Sequence, residues 1–250
     1  MGEIIRRWPF EDDEYDPFEL VIKEPPLTGD NLGLKTWGSS YVLAQMLHTI
    51  GQTSLSHLLG ANNDQKPTVL ELGSGTGLLG LAAAAVWGTH VILSDLPEII
   101  PNLSYNVEKN RPVIEERGGS VVAGALTWGG EEDEIDPDLF PTKNTFKVII
   151  VADPLYDDDH PALLAGAIDE QLSLDGDARV MVMVPQRDAT TAKLLSALKI
   201  DMSSRQIPLI CLEESVVAGQ DDWGNDNDAE AGQLKCWHGI FGRQRSDMNA

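Results

Sequence analysis

From residue 66 onward, apolar and polar positions alternate in blocks that switch between two periods. "TVLEL" (68–72), "HVILSD" (90–95), "SVVAGAL" (120–126), "FKVIIVAD" (146–153) and "ARVMVMVP" (178–185) are short apolar runs bounded by turn residues, the pattern of buried strands. Between them, "GLLGLAAAAVWG" (77–88), "LPEIIPNLSYNVEKN" (96–110), "PALLAGAIDEQLS" (161–173) and "DATTAKLLSALK" (188–199) predict helices. Gly88 ends the first of these, and Pro97 lies near the first turn of the second. Strands alternating with helices predict a parallel sheet covered by helices. "RQIPLICLEE" and "LKCWHGIFGR" follow with no helix between them, which predicts an antiparallel edge. Upstream, "TWGSSYVLAQMLHTI" (36–50) sets Trp37, Tyr41, Ala44 and Leu47 on one helical face.

Residues 1–33 are acidic and punctuated by proline and glycine, with one β-like patch at "FELVIK"; they read as an extension on a single domain spanning 34–250. The stretches 129–138 and 218–232 are acidic and poor in apolar residues, so they read as solvated insertions. The chain has 18 basic and 40 acidic side chains, a formal charge of −22. Such a charge repels phosphate backbones and anionic membranes and favours basic partners. Cys211 and Cys236 cannot form a disulfide framework and read as reduced core thiols; the histidines show no metal-ligand spacing, so no metal is expected. The first residues show no signal-peptide pattern, and a cytoplasmic protein, with the nucleus also open, is the expectation.

Candidate chemistry begins at "VLELGSGTGLLG", the first crossing from strand to helix. Open α/β sheets bind ligands at such crossings. Gly73, Gly75 and Gly77 recur at every second position, and Leu78 breaks the dinucleotide fingerprint. Glu71 ahead of them suits a ligand ammonium. The next strand ends on Asp95, twenty residues past Gly75, where a carboxylate can accept both ribose hydroxyls. Glycine loop and ribose acid together point to a nucleoside without a pyrophosphate, a description that S-adenosylmethionine fits.

With "GLKTWGSSYVLA", "VILSDLPEIIPNLSYNVEKN", "ALTWG" and "VADPLY", these pieces stand in an order that resembles the seven-β-strand class I methyltransferases. The likeness runs from Leu34 to about Arg187. Within that class it is similar to the protein-lysine methyltransferases with an Asp/Glu-x-x-Tyr motif after the fourth strand. The resemblance implies a Rossmann-like α/β fold, a mostly parallel seven-stranded sheet with helices on both faces and an antiparallel C-terminal edge. It also implies a cofactor lined by Trp37, Gly73, Ser74, Gly75, Asp95, Trp128 and Ala152, with Trp128 against the adenine. Thr127 departs from the acid that the family often carries there.

Asp153-Pro154-Leu155-Tyr156 ends the fourth strand of the pattern. Its carboxyl end faces the same crevice as the glycine loop. Asp153 is then placed to accept an N–H from a lysine amine and Tyr156 to wall the channel, making these two the catalytic candidates. Asp157, Asp158 and Asp159 read as acids at a helix start. The expected activity is methyl transfer to lysine in a protein substrate carrying a basic segment, by a monomer. Small-molecule amines, adenine in nucleic acid, and a non-catalytic binding role are the alternatives; the acidic balance and lack of a basic stripe weigh against nucleic acid.

Overall fold

The computed structural model describes residues 4–26, 32–60, 66–220 and 233–244. Five parallel strands form the centre: β3 (Val69–Leu72), β4 (His90–Asp95), β5 (Ser120–Ala125), β6 (Val148–Ala152) and β7 (Arg179–Pro185). Two long strands, β8 (Leu209–Gln220) and β9 (Gln233–Arg243), complete a seven-stranded sheet in the order β5-β4-β3-β6-β7-β9-β8. β9 runs antiparallel to both β7 and β8, as the sequence predicts. The strand order reverses between β3 and β6, and this switch point opens a crevice at their carboxyl ends.

Why the central strands read as apolar runs is visible in their side-chain alternation. Val69, Val91, Val148, Ile150, Met181 and Met183 pack into one apolar layer, whereas Leu70, Leu72, Ile92, Ile149, Val151 and Val182 pack into the other. The first layer is covered by α1 (Gly38–Gln52), α3 (Leu78–Trp87) and α4 (Ile100–Glu116), with the short α2 (Ser56–Leu59) beside α1. The second layer is covered by α5 (His160–Gln171) and α6 (Ala189–Ser203). α3 is buried on nearly all sides, which explains its run of four alanines, and it ends at Gly88 in the left-handed conformation.

Several elements depart from the sequence pattern. Residues 4–24 form a hairpin of β1 (Ile4–Asp12) and β2 (Tyr15–Glu24), more than the single patch at "FELVIK". Its Trp8, Phe10, Phe18, Leu20 and Ile22 join the apolar layer of α1 and α3. Burial of Phe10, Leu20 and Ile22 contributes about 1.5–3 kcal/mol each. Asparagines of α4 bind the backbone of β2: Asn106 Oδ1 accepts from Lys23 N–H (2.9 Å), and Asn110 Oδ1 accepts from Val21 N–H (2.8 Å). The helix starts later than expected, with Pro101 in its first turn, and it continues through Pro112 to Glu116 because Ile114 remains buried.

The acidic stretch at 129–138 is only partly solvated. Ile135 bridges to Leu126 and packs on the second layer, and Asp136 accepts from the amides of Asp138 and Leu139. Cys236 is buried as expected, but Cys211 is exposed, because β8 is the open edge of the sheet. Most of the second acidic stretch lies outside the described residues.

Candidate active site

The cavity at the switch point encloses about 290 Å³, at the small end of the ~300–1,000 Å³ range for small-ligand pockets. Its floor is the glycine loop, tied to the tip of β4 by a set of short contacts. Ser74 N–H donates to Ser94 O at 2.9 Å, and Ser94 N–H returns a bond to Ser74 Oγ at 3.1 Å. Gly75 N–H donates to Asp95 Oδ2 at 2.7 Å, while Asp95 Oδ1 accepts from Leu96 N–H at 2.8 Å. Gly73, with φ +68°, would bring a Cβ to 3.2 Å from the Trp128 ring; only a glycine lets the indole lie this close to the loop.

Trp37, Glu71, Gly73, Ser74, Gly75, Asp95, Trp128, Ala152, Asp153 and Tyr156 all line this cavity. The structure does not bring Gly77 to the cavity wall. At φ +87° it precedes α3, and a Cβ there would meet Leu103 Cδ1 at 2.7 Å, so its work is turning and packing. Glu71 lines the cavity and also ties the strand tip to α3. Its Oε2 accepts from Gly80 N–H at 3.0 Å, and burial pushes the carboxyl up to about 8. It holds its proton more tightly than an ordinary glutamate, and a cation bound beside it would favour the ionised form. Asp95 differs: burial pushes it up to about 6, with the amides of Gly75 and Leu96 opposing, so it is charged at pH 7.

On the opposite wall, Asp153 sits just past β6 with φ +55°, a left-handed turn uncommon outside glycine but tolerated by Asp. Its N–H donates to Met183 O at 2.9 Å, which fixes the turn against β7. The carboxylate is engaged on both oxygens by Arg187, Nη1 to Oδ1 at 2.9 Å and Nη2 to Oδ2 at 2.6 Å. Tyr156 stands exposed at the mouth, its ring 4.1 Å from the His160 ring in an edge-on contact. Desolvation, then the charges of Asp95, Asp153 and Asp157, hold its phenol above the usual value, so it remains a hydroxyl. His160 also meets Trp128 edge-on at 6.2 Å, making one aromatic wall from three residues.

Reading the sequence alone leaves out His160, Arg187 and Lys35. His160 lies four positions after Tyr156 at the start of α5, a spacing that can bring the two rings together once a turn is assumed. Arg187 lies two residues past β7, whose tip adjoins that of β6. Lys35 Nζ stands 4.7 Å from the centre of the Trp37 ring, over which Arg187 also lies at 5.2 Å. Thr127 lines the cavity with its Oγ1 buried and without a hydrogen-bond partner among the described residues. A buried hydroxyl in that state leaves a place for a polar atom of a ligand or a water.

The chain is 39% identical over 220 residues to the protein-lysine N-methyltransferase EFM2 of Saccharomyces cerevisiae, covering 82% of this chain and 48% of that protein. It is 35% identical over 157 residues to the protein-lysine N-methyltransferase rrg1 of Schizosaccharomyces pombe, covering 63% of this chain and 48% of the other. The chain thus spans about half the length of the curated relatives it matches. A SAM-dependent methyltransferase of Agrobacterium tumefaciens shares the fold, with a TM-score of 0.53 at 11% identity over 94% of this chain and 70% of its own. A family model described as lysine methyltransferase matches residues 15–201, from the second strand of the hairpin to α6. The chain belongs to that lysine methyltransferase family.

Proposed function

We propose that the chain is an S-adenosylmethionine-dependent methyltransferase acting on a lysine side chain of a protein, as a monomer. The observation that carries the reading is one cavity joining two sets of groups: the glycine loop latched to Asp95, and the Asp153–Tyr156 turn. The cofactor fits the residues present. Asp95 would hold the ribose hydroxyls, Gly73 and Gly75 would take the chain of the ligand against bare backbone, and Trp128 would lie along the adenine. The unpartnered Thr127 hydroxyl would meet a polar edge of the base. When bound, S-adenosylmethionine supplies a methyl group on a sulfonium, which a neutral amine accepts while losing one proton to water.

The protein's part is then positional. A lysine amine has a reference pKa of about 10.4 and attacks only when neutral. Asp153 can still accept one N–H, since a carboxylate has about four lone-pair directions and Arg187 uses two. Tyr156 and His160 form one side of the channel mouth, and a substrate chain seated against them would shed water from the amine, which favours its neutral form. Holding the reacting atoms about 3–3.5 Å apart supplies most of the rate. A basic segment around the target lysine suits a chain with formal charge −22. Neither Cys211 nor Cys236 is in a disulfide among the described residues, which fits a reducing compartment, and we place the reaction in the cytoplasm with the nucleus also open.

The test is incubation of the protein with methyl-labelled S-adenosylmethionine and a cell extract, against Asp153→Ala. Label in a discrete protein band, reduced about a hundredfold by the substitution, is the expected result. Label confined to nucleic acid or small metabolites overturns the substrate class.

A further inference from the structure

Arg187 comes from the loop between β7 and α6, and it is the cation hydrogen-bonded to Asp153. The pair is graded in exposure: the Asp153 side chain keeps 8% and that of Arg187 keeps 30%, so the carboxylate lies inward and the guanidinium toward the mouth. We propose that Arg187 is a positioning residue for the acceptor amine. By clamping and neutralising Asp153, it makes the cleft accept a neutral amine in place of an ammonium. The inference rests on the amine chemistry proposed above.

The argument is one of charge. A carboxylate alone at the tip of β6 would pair with an incoming ammonium and hold it in the form that cannot attack. With the guanidinium bidentate on that carboxylate, the pair itself carries no net charge, and the remaining lone pairs of Asp153 orient an N–H. The guanidinium keeps its charge at any working pH, so the neutralisation is permanent. Other charged or titratable groups share the cleft. Tyr156 and Asp157 come from the same turn as Asp153, Asp95 and Glu98 from the end of β4 and the turn after it, and His160 from α5. Lys35 lies over the Trp37 ring ahead of α1, Glu71 is buried below the loop, and Asp188 follows Arg187. The acids among them would favour an ammonium, and Arg187 offsets the one carboxylate proposed to touch the amine.

Two readouts test this. In the first, the full chain loaded with S-adenosylhomocysteine is titrated with n-butylammonium near pH ~7 and followed by NMR. Arg187→Gln is expected to bind it at least fivefold more tightly than wild type, and Arg187→Lys, which keeps the charge, to match wild type. The double variant Asp153→Asn/Arg187→Gln is expected to return to the wild-type level. In the second, transfer to the protein band labelled by wild type is measured from about pH 6.5 to about pH 9.5. Arg187→Gln is expected to move the acid limb of kcat up by about one unit, roughly tenfold slower near neutrality and close to wild type at the alkaline end. A uniform loss at every pH with unchanged n-butylammonium binding overturns the proposal, as does tight binding that persists in the double variant. A wild type that labels no protein counts against the proposed function alone, because the n-butylammonium comparison still decides the role of Arg187.

Discussion

Asn106→Ala is expected to destabilise the fold by about 3 kcal/mol and to loosen the glycine loop with it. Asn106 is fully buried and makes three side-chain hydrogen bonds. Its Oδ1 accepts from Lys23 N–H at 2.9 Å, and its Nδ2 donates to Lys23 O at 3.1 Å and to Thr76 O at 2.9 Å. At a net ~1 kcal/mol each, the three bonds give about 3 kcal/mol, and alanine returns about 0.5 kcal/mol through helix propensity. Burial pushes the figure back up, because polar ends deprived of a partner away from water cost ~1–3 kcal/mol each. The bonds also tie three segments together: hairpin, helix and glycine loop.

Urea unfolding followed by tryptophan fluorescence and extrapolated to water measures the loss. Hydrogen exchange at Gly73, Gly75 and Gly77 reports whether the loop loosens. Lys109→Ala, on an exposed face of the same helix, serves as control and should stay within about 0.5 kcal/mol of wild type. Asn106→Leu keeps side-chain volume without the hydrogen bonds and should be no better than alanine. An alanine loss no larger than the control, or recovery in the leucine variant, would show that packing rather than hydrogen bonding holds the hairpin.

Two other perturbations test the floor of the site. The Glu71 carboxyl is pushed from 4.5 to about 8 on folding, chiefly by burial, so the folded state holds its proton more tightly. That contribution to stability is complete below 4.5 and is lost as pH rises towards about 8. Glu71→Gln is therefore expected to gain in Tm relative to wild type as pH rises through this window, and a difference that stays constant with pH refutes the assignment. Gly77→Ala forces a side chain into φ +87° and brings its Cβ to 2.7 Å from Leu103 Cδ1 and 3.2 Å from Leu93 Cδ1. With ~1–2 kcal/mol for the left-handed backbone and ~1–3 kcal/mol for overpacking, about 3 kcal/mol should be lost, and an unchanged urea midpoint would contradict it.

What the sequence makes legible follows from burial. Strands covered on both faces must be continuous apolar runs, so β3, β4, β6 and β7 are plain in the pattern, and the glycines and Asp95 mark their tips. The hairpin is harder to read because only one face is covered. Its apolar residues alternate with acids and with Pro9 and Pro17, a mixture that resembles a loop until Trp8, Phe10, Phe18, Leu20 and Ile22 are counted on one side. The anchor of the hairpin does leave a trace: Asn102, Asn106 and Asn110 recur at intervals of four on a helix where asparagine is a poor former. Three such residues on one buried face signal backbone to be satisfied by side chains.

Arg187 shows the same logic at the site itself. The rule that places Asp153 in the crevice, that parallel strands point their carboxyl ends there, applies equally to the next strand in the sheet. β7 ends at Pro185, and the first charged residue beyond it is Arg187. Sequence can thus nominate an arginine beside the carboxylate. It cannot tell whether the two meet, because that depends on the left-handed turn at Asp153 and on the hydrogen bond its N–H donates to Met183 O, both products of how β6 and β7 are registered. On the role proposed for Arg187, the charge met by an acceptor is a property of two adjacent strand tips, and a motif taken from one strand alone leaves out the cation paired with Asp153.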